Sequence, residues 1–190
     1  MTEKEKCEQG LLYNANYDEQ LIRERMAVKD LCQEYNRLKN SDTEGRNILI
    51  KKILGTAKTN ICIEPDFWCD YGYNIEVGEN FYSNHNLVIL DCAQVKFGDN
   101  VFIGPNCGFY TANHPLDVKQ RNEGLESAHP ITVGNNVWFG GNVVVLPGVT
   151  IGDNAVIGAG SIVTKDVPAN VVAVGNPCKV LKSIEQTVSS

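Results

Sequence analysis

Between residues 133 and 168, hydrophobic and polar positions recur with a fixed period of six. Cut into hexads, the stretch reads VGNNVW, FGGNVV, VLPGVT, IGDNAV, IGAGSI and VTKDVP. The first position is always aliphatic or Phe (Val133, Phe139, Val145, Ile151, Ile157, Val163), and the fifth is always small or β-branched. Gly fills the second position four times, at Gly134, Gly140, Gly152 and Gly158. A short fixed period marks a β-solenoid, in which each repeat gives a strand and a turn and stacking builds one continuous core. Three hexads close a triangular coil with each first residue pointing at the axis. Gly at the second position is expected to relieve backbone strain at the corner.

A looser form of the pattern covers the middle of the chain: VGENFY from Val77, SNHNLV from Ser83, ILDCAQVK from Ile89, then FGDNVF, IGPNCG and FYTANH, ending at His114. Residues 115–132 break the period with a polar insert, PLDVKQRNEGLESAHPIT. Such an insert in a compact fold is expected to be functional or disordered, and solenoid insertions project from one face. Ahead of the repeats, residues 16–36 carry Leu21, Val28, Cys32 and Tyr35 at roughly helical spacing. Ser41 and Glu44 predict a capping box for a second helix through Ile48, Leu49, Ile53 and Leu54, with Gly55 as its C′ stop. These helices are expected to cover the apolar end of the first coil. A strand over 171–174 and a tail turning back along the solenoid follow. The expected organisation is a helical cap (1–58), a solenoid (59–174) with its insert, and a C-terminal tail (175–190), together one mainly β unit.

Composition narrows the function. The 190 residues are enough for one substantial core. No run of eighteen apolar residues predicts a membrane span. The opening MTEKEKCEQG lacks the apolar stretch of a signal peptide, so a cytoplasmic protein is expected. Seven cysteines with no CxxC pair read as reduced thiols, and Cys92 and Cys107 fall within the repeats, where a thiol packs as a small hydrophobe. A net charge of −6 with no basic stripe argues against a nucleic-acid binder.

Five segments, LYNANYDEQL, NFYSNHN, YTANHPLD, HPITVGNNVWFGG and GAGSIVTKDVPANVVAVGNPCKV, follow one another over residues 12–182 and resemble the maltose/galactoside O-acetyltransferase family. The resemblance implies a left-handed parallel β-helix, although crossovers between parallel strands are otherwise right-handed. It also implies a homotrimer with active sites between neighbouring solenoids, acetyl-CoA as donor, a sugar hydroxyl as acceptor, and no metal. Two other readings remain open on the residues. One is a metalloenzyme of the γ-carbonic-anhydrase kind, which the spacing of the three histidines disfavours. The other is a non-catalytic binding solenoid.

Acetyl transfer to a hydroxyl needs a base near the acceptor oxygen, and imidazole titrates close to working pH. Of His85, His114 and His129, His114 stands at the lip of the insert and matches the family's catalytic histidine. His85 and His129 are read as surface or packing residues. Asn84 matches a family acceptor contact, with a corner turn residue as the alternative. Glu126 is placed to orient a histidine nitrogen or a sugar hydroxyl, or to be solvated. Trp138 faces outward, to wall a cleft or pack between subunits. Asn16 and Asp70 fall at family acceptor positions with different side chains, and Cys92 stands where galactoside-modifying relatives carry an acid. For the donor, Gly141 and Ala159 offer backbone groups without bulk, the Gly141 amide being an expected oxyanion donor. Thr164, Lys165, Lys179 and Lys182 are expected to meet the nucleotide phosphates, a local basic patch on an acidic protein.

Overall fold

In the computed structural model, residues 1–185 are described. The repeats stack into a three-faced parallel β-helix. The first face takes strands Thr56–Ala57, Ile75–Val77, Val95–Phe97, Ile131–Val133 and Thr150–Ile151. The second takes Cys62–Ile63, Tyr82–Ser83, Phe102–Ile103, Trp138–Phe139, Val156–Ile157 and Val171–Val174, and Lys179–Ser183 pairs antiparallel on its last strand. The third takes Phe67–Cys69, Leu87–Leu90, Gly108–Tyr110, Val144–Val145 and Ile162–Val163. The chain turns from first face to second at a first corner, from second to third at a second, and back to the first at a third.

The hexad register places the core. In the six regular hexads the first-position residues are at most 2% exposed, and the fifth-position residues are buried with them. Phe81, Phe97, Phe109 and Phe139 stack along the axis edge to face, with centroids 5.1, 5.0 and 5.2 Å apart.

The corner strain is carried elsewhere than expected. In five of the six regular hexads the fourth residue has positive φ: Asn136, Asn142, Gly148, Asn154 and Gly160. Asn visits this left-handed region at low cost, which is why Asn and Gly hold that position. The second-position glycines answer to crowding between coils. A Cβ on Gly140 would stand 2.5 Å from the Ala159 nitrogen, and one on Gly152 2.5 Å from the Ala169 nitrogen. Along the first corner the left-handed asparagines form a ladder, with amides donating from Asn60 to Asn80, Asn100, Asn136, Asn154 and Asn170 in turn at 2.9–3.1 Å.

The helical cap closes the top of the coil. Helix α1 spans Glu3–Glu8, unannounced by the apolar pattern because only Cys7 is buried. Helix α2 spans Glu19–Arg37 and buries Leu21, Val28, Cys32 and Tyr35, and helix α3 spans Thr43–Ile53. The expected cap at Ser41 is corrected by one residue, since the Asp42 carboxylate accepts from the Gly45 amide instead. Gly55 is not a left-handed stop either. Its amide donates to the Gly72 carbonyl, and a Cβ there would strike the Tyr73 carbonyl oxygen at 2.1 Å. Asn36 pins Phe67 of the first coil through its backbone N–H and C=O, and buried Arg46 donates to the Ile63 carbonyl at 2.6 Å.

The insert leaves the solenoid earlier than the hexads suggest. The third face ends at Tyr110, and Ala112–Asn113 already pairs antiparallel with Leu125–Ala128. Tyr13–Asn14 adds a third strand to this small sheet, and a helix α4, Val118–Asn122, forms the tip. The polar insert is therefore ordered, held by the N-terminal segment as well as by the solenoid. Among the described residues no helix is long and apolar enough to cross a membrane.

Candidate active site

His114 follows directly on the strand Ala112–Asn113, outside the solenoid and half exposed. Its Nδ1 lies 3.1 Å from the Leu125 carbonyl across the small sheet. A carbonyl only accepts, so Nδ1 carries the proton and Nε2 presents its lone pair. The Glu126 carboxylate stands 3.9 Å from that nitrogen, largely buried, with its other oxygen accepting from the Tyr13 hydroxyl at 3.2 Å. Tyr13 is buried, and burial pushes its phenol far up, so it stays a donor. The imidazole thus faces a carboxylate that is fixed before any ligand arrives.

Three further predicted residues gather at the same corner. Asn16 is exposed and donates to the Gly124 carbonyl at 3.0 Å, tying the N-terminal segment to the insert. Asp70 pairs with Lys29 of α2 at 3.6 Å, and the Cys92 sulfur lies 3.8 Å from its other oxygen. Burial, followed by the charge of Asp70, pushes the Cys92 thiol well up, so it remains protonated and is no nucleophile. A cavity of about 460 Å³ opens beside this corner, lined by Cys7, Asn74, Gln94 and His129 among others. His114 is not part of it and stands on an open surface.

The rest of the predicted set lies elsewhere. Asn84, Gly141 and Ala159 stand at the second corner, and Trp138 projects 55% exposed from the second face beside it. Lys179 pairs in register with Val174 at the end of that corner column, and Lys182 with Val172. Thr164 and Lys165, by contrast, turn at the third corner, below His114. One chain therefore brings His114, Glu126, Asn16, Asp70, Cys92, Thr164 and Lys165 to one corner. It keeps Asn84, Gly141, Ala159, Trp138, Lys179 and Lys182 at another. The three histidines join no cluster of metal-binding side chains among the described residues.

The two solenoid corners without an insert differ in how they treat their amides. At the first corner, side chains of the next coil accept from Glu79, Asp99 and Asn135 at 2.7–2.9 Å. At the second, the matching positions are His85, whose N–H donates to Asn84 Oδ1 at 2.7 Å, Pro105, which has no N–H, and Gly141 and Ala159, whose N–H groups make no bond within the described chain. Two neighbouring unclaimed donors, half-buried at Gly141 and exposed at Ala159, suit an extended amide-bearing ligand or a developing oxyanion.

Sequence reasoning missed Tyr13 and Asp91. Tyr13 sits 113 residues from its partner Glu126, beyond any periodicity. Asp91 lies within the eight-residue repeat ILDCAQVK, where no period marks its side chain as inward, and it is fully buried.

Comparisons with known proteins match the cap and the repeats. The maltose acetyltransferase hexapeptide capping motif matches residues 6–58, and the bacterial transferase hexapeptide family (six repeats) matches residues 130–165. A putative acetyltransferase of Saccharomyces cerevisiae is 54% identical over 181 residues, 95% of this chain and 92% of that protein. Among solved structures, the chain resembles a maltose O-acetyltransferase from Clostridium difficile 630, with TM-score 0.93 and 48% identity over 98% of this chain and 99% of that one. It is equally similar to a galactoside acetyltransferase in complex with coenzyme A, with TM-score 0.94 and 46% identity over 97% and 92%. Cap and repeat together define an acetyltransferase of the hexapeptide-repeat class. Within that class, the chain belongs to the maltose/galactoside O-acetyltransferase family.

Proposed function

We propose that this protein moves the acetyl group of acetyl-CoA to a sugar hydroxyl, with His114 as general base, in a homotrimer whose sites form between copies. The observation that carries the chemistry is the His114 hydrogen bond to the Leu125 carbonyl, which leaves Nε2 free as a base. In this reading Nε2 takes the hydroxyl proton as the sugar oxygen attacks the thioester carbonyl. Glu126 offsets the charge of the forming imidazolium, and the Gly141 N–H of a neighbouring copy receives the oxyanion. Collapse expels the CoA thiolate, which the imidazolium protonates. The protonated Cys92 and Cys7 thiols support direct transfer over an acyl-cysteine route.

Two observations support assembly. The site residues lie at two different corners of one prism, so a second copy is the simplest way to unite them. The outer faces also differ in chemistry. The first shows Thr56, Glu76, Lys96, Thr132 and Thr150 outward, whereas the second shows Tyr82, Phe102, Trp138, Val156 and Val172. The third shows Trp68, Val88, Val144 and Ile162. Two apolar faces and one polar face suit a closed ring that hides the former and wets the latter. Lys165 from one copy and Lys179 from the next would then flank the same nucleotide end.

Thiol release from acetyl-CoA, measured with maltose, glucose, a galactoside and an amino sugar, tests the activity. Release with at least one acceptor is expected, and none with any would leave a binding solenoid.

A further inference from the structure

The buried Asp91 holds the acceptor corner in place, although it touches no surface. Its Oδ1 accepts from the backbone amides of Asp70 at 2.9 Å and Tyr71 at 2.8 Å, and its own carbonyl accepts from the Asn74 side chain at 2.7 Å. Its Oδ2 is buried and has no partner among the described residues. A buried carboxylate with one oxygen unpaired is an expensive way to fix a turn. A neutral amide side chain would avoid that cost but would hold the two backbone N–H groups less strongly, because hydrogen bonds to a charged acceptor are about twice as strong.

The turn it fixes leads to the site by two routes. Asp70 presents its carboxylate beside Lys29 and Cys92. Tyr71 accepts from Arg25 at 2.6 Å, and the same guanidinium donates to the Ala15 carbonyl at 2.6 Å. Asn16, the next residue, reaches the Gly124 carbonyl of the insert, two residues from Glu126. One carboxylate is thereby linked to Asp70 directly and to the 15–16 segment through Tyr71 and Arg25.

We propose that Asp91 is a positioning residue for the acceptor: it holds the Asp70–Tyr71 turn, and through Arg25 the 15–16 segment, in the geometry that binds the sugar. This rests on the reading of the third corner as the acceptor side. The donor groups at the second corner share no contact with Asp91, so its effect should fall on one substrate alone.

Steady-state kinetics on the full-length protein with acetyl-CoA and maltose, glucose and a galactoside test this. For Asp91→Asn, the acceptor KM is expected to rise about tenfold, the scale of a charge-assisted hydrogen bond, while the acetyl-CoA KM moves less than about twofold. Tyr71→Phe cuts the tie to Arg25 and leaves the buried carboxylate alone, so it should raise the acceptor KM in the same direction. It also decides the matter if Asp91→Asn does not fold. An unchanged acceptor KM in either folded variant, or equal rises in both KM values, would overturn the proposal. Wild-type protein that transfers acetyl to none of the acceptors would remove the acceptor reading itself, and this proposal with it.

Discussion

In the proposed mechanism, His114 is the residue on which the chemistry turns. With Nδ1 committed to the Leu125 carbonyl, replacement by Ala removes the base and leaves both substrate corners otherwise intact. Turnover is expected to fall by roughly 10²–10⁴-fold with the acetyl-CoA KM little changed. A variant keeping half its activity would assign the base elsewhere. Asp91 offers a second residue-level test, on stability. Burial pushes its carboxyl up to about 6 from an ordinary 3.8. The groups around it are Asp70 and Tyr73 on the turn, Cys69 on the adjoining strand and Cys32 of α2. A carboxyl raised on folding favours the folded state most below about pH 4 and loses that contribution as pH rises through about 6. Between pH 7 and pH 5 the thermal midpoint of the wild type should therefore gain on that of Asp91→Asn, and parallel curves would show no titration there. The place of His114 beside the insert was legible in the sequence because it marks a break in a regular period. Tyr13 and Asp91 were not, because burial and partners more than a hundred and about twenty residues away decide their roles.

At the scale of elements, the hexad period predicted the strands and their inward faces, since a repeat of six matches one side of a triangular coil. What it hid was the division of labour at the corners. Gly at the second position looked like the strained residue, but crowding from the next coil explains it, and the left-handed residue is the fourth. Asn136, at φ 57° and in the middle of the amide ladder, tests the distinction. Asn136→Ala should destabilise by about 1–2 kcal/mol more than Asn136→Gly, since both lose the ladder bond and only Ala meets the steric cost of positive φ. Equal midpoints for the two variants would contradict that. The insert was legible as a break but not as an ordered sheet, because its third strand comes from Tyr13–Asn14, far upstream.

At the scale of the whole molecule, the proposed site is one that no single chain completes. In that proposal the third corner supplies the base and acceptor side, and the second supplies the unclaimed amides and Asn84. Mixing two inactive variants, His114→Ala and Asn84→Ala, by joint refolding or coexpression is the most direct test. Each alone should be nearly inert. In a random trimer a site is intact when its third corner comes from the Asn84→Ala copy and its second corner from the His114→Ala copy, which holds for about one quarter of sites. Activity near that fraction of wild type is the predicted result. A mixture as inert as its parents would show that both corners act within one chain, and the proposed architecture of the site would be wrong.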